Sequence, residues 1–433
     1  MLTIEIKVSL PLSILYSRSD LLSYYIQMTL SKSKKQVVLL FCSSIIGMLL
    51  GIVVSVLNTR FLSPEEYGDV RYVQNIINFV SSLLLFGYFT SGSRLLAIDD
   101  NENRRRCIRG TMCVILGIAI AIVAFSMLFM AIYTNRVDKT NLSYLFFVTI
   151  PVCGNVLMLN YINTTAQGDN HIVRISVARL IPSFLYLLIA FTIYYYYGAT
   201  SALMLLLYNG CAVITLSFVI ISTKPSFHNL KQSYKLLKDE NKTYGLNVYL
   251  GSLVAVSTQY IAGITLGAFC DNNANVGFYT LALSFSAPMS MLPGIIGTTH
   301  FRQFSREGEI SRKLIKYSIC ITVITLVLFL LFIKYIVGFL YNDNYSAVSK
   351  YASFLAVGTC FHGFGDMLNR FLGSHGKGKE IRNGAIACGV TSILGYLVLV
   401  YYFNIYGAIV TRIVGSFVYF ACMAHYYIRC SKH

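Results

Sequence analysis

The sequence predicts an all-α polytopic membrane protein, with about 12 transmembrane helices in two parallel-repeat six-helix lobes around a central cleft. Three observations predict it. The 433 residues are 56% hydrophobic and only 12% charged, about half the roughly 25% charged share of soluble domains. The apolar residues fall in runs long enough to cross a bilayer, which takes about 20 residues per helix. Backbone in lipid must satisfy its own hydrogen bonds, so such runs are helices. Finally, landmarks in the first half recur at one offset in the second, the mark of an internal repeat.

Twelve spans follow in order: 37–57, 72–97, 111–133, 142–165, 175–197, 199–222, 245–269, 276–299, 314–337, 348–372, 383–403 and 406–428. The divisions are an N-terminal cytoplasmic segment (1–36), an N-terminal six-helix lobe (37–222), a basic linker (223–244) and a C-terminal six-helix lobe (245–433). Within 1–36, Leu10 to Leu15 is too short to span and no small-residue cleavage site follows, which argues against a signal peptide. Met28 opens a basic run directly before the first span. It reads as the initiator, with 1–27 an extension.

The net charge of +17 raises nucleic acid as a partner, but its distribution argues against one. Basic residues cluster in short segments between apolar runs, as in cytoplasmic loops. With the N-terminus inside, one side holds 24 basic residues, in clusters such as Arg104 to Arg109, Arg174 with Arg179, and Lys224 to Lys242. The other side holds five: Arg60, Arg71, Arg136, Lys139 and Lys350. That asymmetry fixes an even number of spans with both termini cytoplasmic. The eleven cysteines form no CxxC pair, so neither a zinc site nor a disulfide framework is indicated.

The repeat rests on four landmarks. Tyr197-Gly198-Ala199 recurs as Tyr406-Gly407-Ala408, Leu159-Asn160 as Leu368-Asn369, and Gly68 as Gly277, each 209 positions later. Gly168 with Arg174 recurs as Gly376 with Arg382, 208 later. Six spans per unit give both lobes the same orientation, so the repeats are parallel and leave a cleft between them.

Ionisable residues within spans mark functional sites. Asp366 is the acid well inside a span, on a face of span 10 with His362 and Arg370 at i, i+4 and i+8. Two readings stand. One is a neutral Asp366–Arg370 pair, with Arg370 snorkelling to the surface. The other is a protonatable relay, because histidine titrates near neutrality and a carboxylate in low dielectric can be drawn there. Arg412 lies about two turns into span 12 with no acid nearby in sequence, which points to a wet cavity or an anion. Arg94 lies near a span end, where interfacial anchoring explains it. Gln74, Asn75 and Asn78 in span 2 and Gln259 in span 7 line a cleft or bond between helices. Gly47 with Gly51 and Gly263 with Gly267 form GxxxG pairs, a sign of close helix packing. No HExxH, GxSxG or P-loop is present, so neither a catalytic site, a cofactor nor ATP-driven pumping by this chain alone is expected.

The loop Arg60-Phe61-Leu62-Ser63-Pro64-Glu65-Glu66-Tyr67-Gly68 resembles the signature of bacterial polysaccharide-repeat-unit (O-antigen or capsule) flippases. These form the Wzx-like branch of the multidrug/oligosaccharidyl-lipid/polysaccharide exporter superfamily. Val276-Gly277-Phe278-Tyr279-Thr280-Leu281-Ala282, Gly376-Lys377 and Tyr406-Gly407-Ala408 look like further family segments in the expected order. The resemblance implies a cationic lumen and a substrate of undecaprenyl-pyrophosphate-linked oligosaccharide, flipped across the inner membrane by alternating access. It implies a polysaccharide polymerase, a chain-length regulator and a proton or sodium gradient as partners, beside membrane lipids.

Arginines in a cleft can hold a diphosphate through paired hydrogen bonds, so Arg412, Arg370, Arg94 and Arg71 are the substrate-binding candidates. Asp366 and His362 are the ion-coupling candidates. The family's frequent acid near Gln259 is absent, as is the drug exporters' acid in span 1. Competing readings are a cation-coupled multidrug exporter, a lipid II flippase with two further helices, and a membrane-embedded polymerase or ligase. The last requires a long outward loop that this chain lacks. The Arg60-to-Gly68 loop itself is expected at the outer rim, with Glu65, Glu66 and Asp69 offsetting Arg60 and Arg71.

Overall fold

A helix, a two-residue turn and a second helix replace the short loop expected between the first two spans. The computed structural model describes residues 43, 46–137 and 140–431; the expected extension 1–27 and initiator Met28 lie outside them. Helix α1 (Ile46–Phe61) is followed at once by α2 (Pro64–Leu83). Ser63 caps α2, its side chain meeting the Glu66 N–H while Glu66 reaches back to the Ser63 N–H. Pro64 sits at the first helical position and Glu65 in the first turn, all favourable at a helix N-terminus. Glu65 and Glu66 therefore serve the helix start and Asp69 accepts from Asn273, and among the described residues no ion pair joins these acids to Arg60 or Arg71.

The second expected span is broken. α2 ends at Leu83, α3 runs Tyr88–Ile98, and the two are bent by 57°. Phe86 and Gly87 take positive φ at the break. Carbonyls freed inside a membrane need other donors. Leu83 O receives the Tyr249 hydroxyl at 2.7 Å, and Phe86 O receives Asn241 Nδ2 at 3.0 Å.

Next come α4 (Glu102–Arg136), then α5 (Thr140–Thr149), which continues through a 3₁₀ turn into α6 (Asn155–Gly168). α7 (Ile172–Tyr197) and α8 (Ser201–Ser222) complete the first half-bundle. The linker holds α9 (Leu230–Glu240) and a π turn, Asn241–Gly245. The second half-bundle comprises α10 (Leu246–Phe269), α11 (Ala274–Ser286), α12 (Pro288–Thr299), the short α13 (Phe301–Phe304), α14 (Arg312–Leu340), α15 (Ala347–Ser374) and α16 (Gly378–Ser431).

No strand occurs among the described residues. Among the described residues seven helices are long and apolar enough to cross a membrane, eight if α2 and α3 are one broken span. The 54-residue α16 counts once there, yet it reverses at Asn404, where φ is 50° and ψ −131°. Its arms run antiparallel: Gly395 meets Thr411, Gly415 meets Ser392 and Gly384 meets Met423. The described part of each of the twelve expected stretches thus lies mainly on helix, with breaks inside 72–97 and 142–165. Large apolar side chains such as Phe125 on α4 and Phe339 on α14 point outward, as lipid requires and water does not.

The half-bundles meet mainly where α2 packs on α10 and α11. A Cβ added at Gly263 would fall 2.0 Å from Asn75 Nδ2, and one at Gly267 would fall 2.1 Å from the Tyr72 ring. This GxxxG serves close packing as expected. The one in α1 does not: a Cβ at Gly51 would meet nothing within 4 Å.

Beside the capped turn, the repeat-related Gly68 and Gly277 touch each other. Asn273 Nδ2 donates to Asp69 Oδ1 at 2.6 Å, Tyr345 OH to Leu62 O at 3.0 Å, and Tyr341 OH shares a 2.7 Å bond with Ser55 Oγ. These bonds close the rim between the halves.

The opposite, basic end of the first half is pinned differently. Asp169, just past α6, has a fully buried side chain held by Arg105 at 2.8 Å, Arg109 at 2.9 Å and Arg174 at 3.4 Å. Arg109 also donates to Thr223 O at 3.0 Å and pairs with Glu102 at 2.9 Å. One carboxylate thereby ties α4, α6, α7 and the end of α8 together.

Candidate functional site

Three polar cavities lie inside the bundle. The first, of about 540 Å³, is walled by α2 (Arg71, Gln74, Asn78), α6 (Asn155), α7 (Arg179, Ser183), α8 (Tyr208, Asn209) and Tyr260 of α10. The second, of about 310 Å³, shares Arg71, Ser183 and Tyr208 with it and reaches Ser284 and Tyr341 of the other half. The two adjoin, and Arg71 stands at their junction. The third, of about 570 Å³, belongs to the second half and is walled by residues including His362, Asp366, Tyr396, Arg412 and Tyr419.

Helical spacing sets the geometry of Arg71. Tyr67 and Gln74 lie at i−4 and i+3 on α2, the positions a side chain can reach. Arg71 Nε and Nη2 donate to the Tyr67 hydroxyl at 2.8 and 2.6 Å, and Nη1 donates to Gln74 Oε1 at 2.9 Å. A guanidinium has five donor hydrogens, so three bonds orient it and two hydrogens remain for a ligand. No carboxylate lies within 4 Å of Arg71 among the described residues, and none appears in the walls of the first two cavities.

The span 10 face divides. His362 and Asp366 wall the third cavity, whereas Arg370 is exposed and its Cβ and Cγ lie beside Gly297 of α12. Four residues turn a helix by about 40° more than one revolution, so the face drifts off the cavity by Arg370. The expected Asp366–Arg370 pair is not formed. Instead Tyr419 OH donates to Asp366 Oδ1 at 3.1 Å and accepts from Asn369 Nδ2 at 2.7 Å. His362 stacks on the Tyr419 ring with centroids 4.8 Å apart, and its Nδ1 is buried without a partner.

Arg412 lies in the same cavity beside Tyr396 and Tyr279, with no carboxylate within 4 Å among the described residues and a buried, unpartnered Nε. Arg94 is elsewhere. It pairs with Glu240 of α9 and covers the Tyr244 ring at 5.0 Å, outside all three cavities. Of the four candidate arginines, then, Arg71 and Arg412 border cavities while Arg94 and Arg370 do not.

Sequence reasoning missed several lining residues. Arg179 was grouped with cytoplasm-facing charge although its position falls inside the expected span 175–197, which was the available signal. Gln74 and Asn78 line the first cavity and Gln259 the third, as expected, but Asn75 packs between the halves against Gly263. The Asn155–Asn209 contact, 2.9 Å between amides of α6 and α8, had no sequence signal. Gly47 and Gly51 of α1, where an added Cβ would meet only Leu180 at 3.7 Å and nothing respectively, border the first and second cavities.

Two guanidiniums and neutral amides without a carboxylate suit an anionic, hydroxyl-rich ligand. The third cavity, with one arginine, one aspartate and one histidine, is closer to electrical balance.

A family model described as "Polysaccharide biosynthesis protein" matches residues 33–301, more than half of the chain. No curated protein matches. Among solved structures the fold is similar to "Lipid II flippase MurJ, inward closed conformation". The TM-score is 0.67 at 12% identity, covering 91% of this chain and 90% of that one. It is equally similar to an inward-facing multidrug resistance MATE family transporter of the MOP superfamily, with TM-score 0.67, 16% identity and coverage of 89% and 95%. The outward-facing form of a MATE transporter gives 0.58 at 16% identity, covering 92% and 97%. At these identities the likeness is one of fold.

Proposed function

The chain belongs to the polysaccharide biosynthesis protein family, and from that premise we propose that it flips undecaprenyl-pyrophosphate-linked oligosaccharide repeat units across the cytoplasmic membrane for surface-polymer assembly. It is a multi-pass membrane transporter of the flippase and exporter superfamily. The observation that carries the finer reading is Arg71: a cation at the junction of two cavities, oriented by Tyr67 and Gln74, with no acid in either wall. A diphosphate cannot enter hydrocarbon bare, and a preoriented guanidinium replaces part of its hydration.

In this reading the segments 37–222 and 245–433 are the moving lobes, and the basic end faces the cytoplasm. The rim closed by Asp69–Asn273 and Ser55–Tyr341 is then the outer gate, and the cavities load from inside. Arg412 holds anionic charge in the second half, and the Asp366–Tyr419–His362 group couples transport to a proton or sodium gradient. Arg94 and Arg370, outside the cavities, serve at the membrane surface.

Transport of a fluorescent lipid-linked oligosaccharide in proteoliposomes tests the reading. Arg71→Ala and Arg412→Ala are each expected to lower the rate at least about tenfold, the effect of one lost charge-assisted bond pair, with normal insertion. Wild-type rates in both would overturn it. A second reading, a cation-coupled drug exporter, is favoured by the acid Asp366 in the third cavity. Under it Asp366→Asn stops efflux of a cationic dye while Arg71→Ala does not.

A further inference from the structure

We propose that the first cavity is the subsite for the sugar next to the diphosphate, and that Asn209 recognises an acyl carbonyl on that sugar, as in an N-acetylated hexosamine. The inference rests on the lipid-linked oligosaccharide reading and refines it.

Position comes first. A diphosphate bound at Arg71 has the first cavity directly beside it, because Arg71 borders both cavities. Its volume of about 540 Å³ lies within the roughly 300–1,000 Å³ of small-molecule sites.

The chemistry of the wall comes next. Asn155 is held by its own neighbour, with Val156 N–H donating to Asn155 Oδ1 at 2.8 Å. Its Nδ2 donates to Asn209 Oδ1 at 2.9 Å. This chain fixes the orientation of the Asn209 amide and uses its oxygen. The Asn209 Nδ2 is left without an acceptor in a residue only 2% exposed. Buried donors are almost always paired, so an unpaired one in a cavity wall marks a place for a ligand acceptor.

The wall also offers an acceptor. Pro182, inside α7, has no N–H to give the carbonyl of Ala178, and both residues border the cavity. A sugar hydroxyl can supply that missing donor. Val156 and Ala212 give an apolar patch near Asn209 for an acetyl methyl. The third cavity lacks this combination and presents the Asp366 carboxylate.

The test uses purified protein in nanodiscs and three probes: undecaprenyl diphosphate, the same lipid bearing glucose, and the same lipid bearing N-acetylglucosamine. Wild-type protein is expected to bind the N-acetyl probe about tenfold tighter than the glucose probe, the worth of one net hydrogen bond. Asn209→Leu brings the two to equal affinity. Asn209→Asp, which keeps the shape and the acceptor for Asn155, does the same and guards against a folding defect. Arg71→Ala weakens all three probes. Equal wild-type affinity for the two sugars, or a preference that survives both Asn209 variants, would overturn the subsite alone. Absence of any Arg71-dependent binding would overturn the transport reading with it.

Discussion

Asp169 shows how a single side chain can hold a membrane bundle together. Its buried carboxylate faces Arg105, Arg109 and Arg174, drawn from two helices. Removing one partner from a buried ionic group costs far more than the group contributes net, about 3–5 kcal/mol, because the remaining charges lose their compensation. Asp169→Asn is therefore expected to lower the thermal midpoint in detergent sharply, whereas Arg370→Ala, at an exposed site, leaves it nearly unchanged. Matching midpoints for Asp169→Asn and wild type would remove Asp169 from this role. In the sequence Asp169 was only a loop acid after span 4. Its importance depends on arginines some 60 positions upstream on α4, a proximity no local pattern encodes. Asp366 was legible as a buried acid because it interrupts an apolar run. Its partner Tyr419, 53 positions away, was not, and the nearer Arg370 was assigned by helical spacing alone.

Helices were legible where their causes are local. Runs of apolar residues and the turn near Asn404 act within a few residues; the Ser63-Pro64-Glu65-Glu66 start is equally local, but the segment reads as a loop and the helix it opens is missed. The break between α2 and α3 was not legible, because the donors that stabilise it, Tyr249 and Asn241, come from more than 150 residues downstream. The two GxxxG pairs make the same point, being alike in sequence and unlike in place. At Gly267 a Cβ would sit 2.1 Å from the Tyr72 ring of α2, while at Gly51 it would meet nothing. Overpacking a tight contact typically costs about 1–3 kcal/mol, more when backbone must move. Gly267→Leu is expected to destabilise the protein by at least this much and to loosen the α2–α10 contact, with Gly51→Leu much milder. Thermal melting of the pair in one detergent checks the contrast, and equal losses would contradict it.

At the scale of the molecule, the meeting of Gly68 with Gly277 is what the expected two-fold repeat would produce. Residues related by a two-fold axis can touch only near that axis, so the 209-residue offset and the contact describe one symmetry. The contact lies at the closed rim, beside the Asp69–Asn273 bond. If the halves rock about this axis to expose the cavities alternately, rim bonds must part once per cycle. A hydrogen bond is worth about 0.5–1.5 kcal/mol net between neutral groups and about 1.5–3 kcal/mol where a carboxylate such as Asp69 accepts, weak enough to open on the microsecond-to-second scale of such motions. A covalent bridge is not. With the eleven native cysteines replaced, Asp69→Cys and Asn273→Cys joined by a short bis-thiosulfonate reagent should stop flipping in proteoliposomes, and a reducing agent should restore it. Each single-cysteine variant treated alike should transport normally. Undiminished transport by the bridged protein would mean that this rim stays closed throughout the cycle, and the outer exit would have to be sought between other helices.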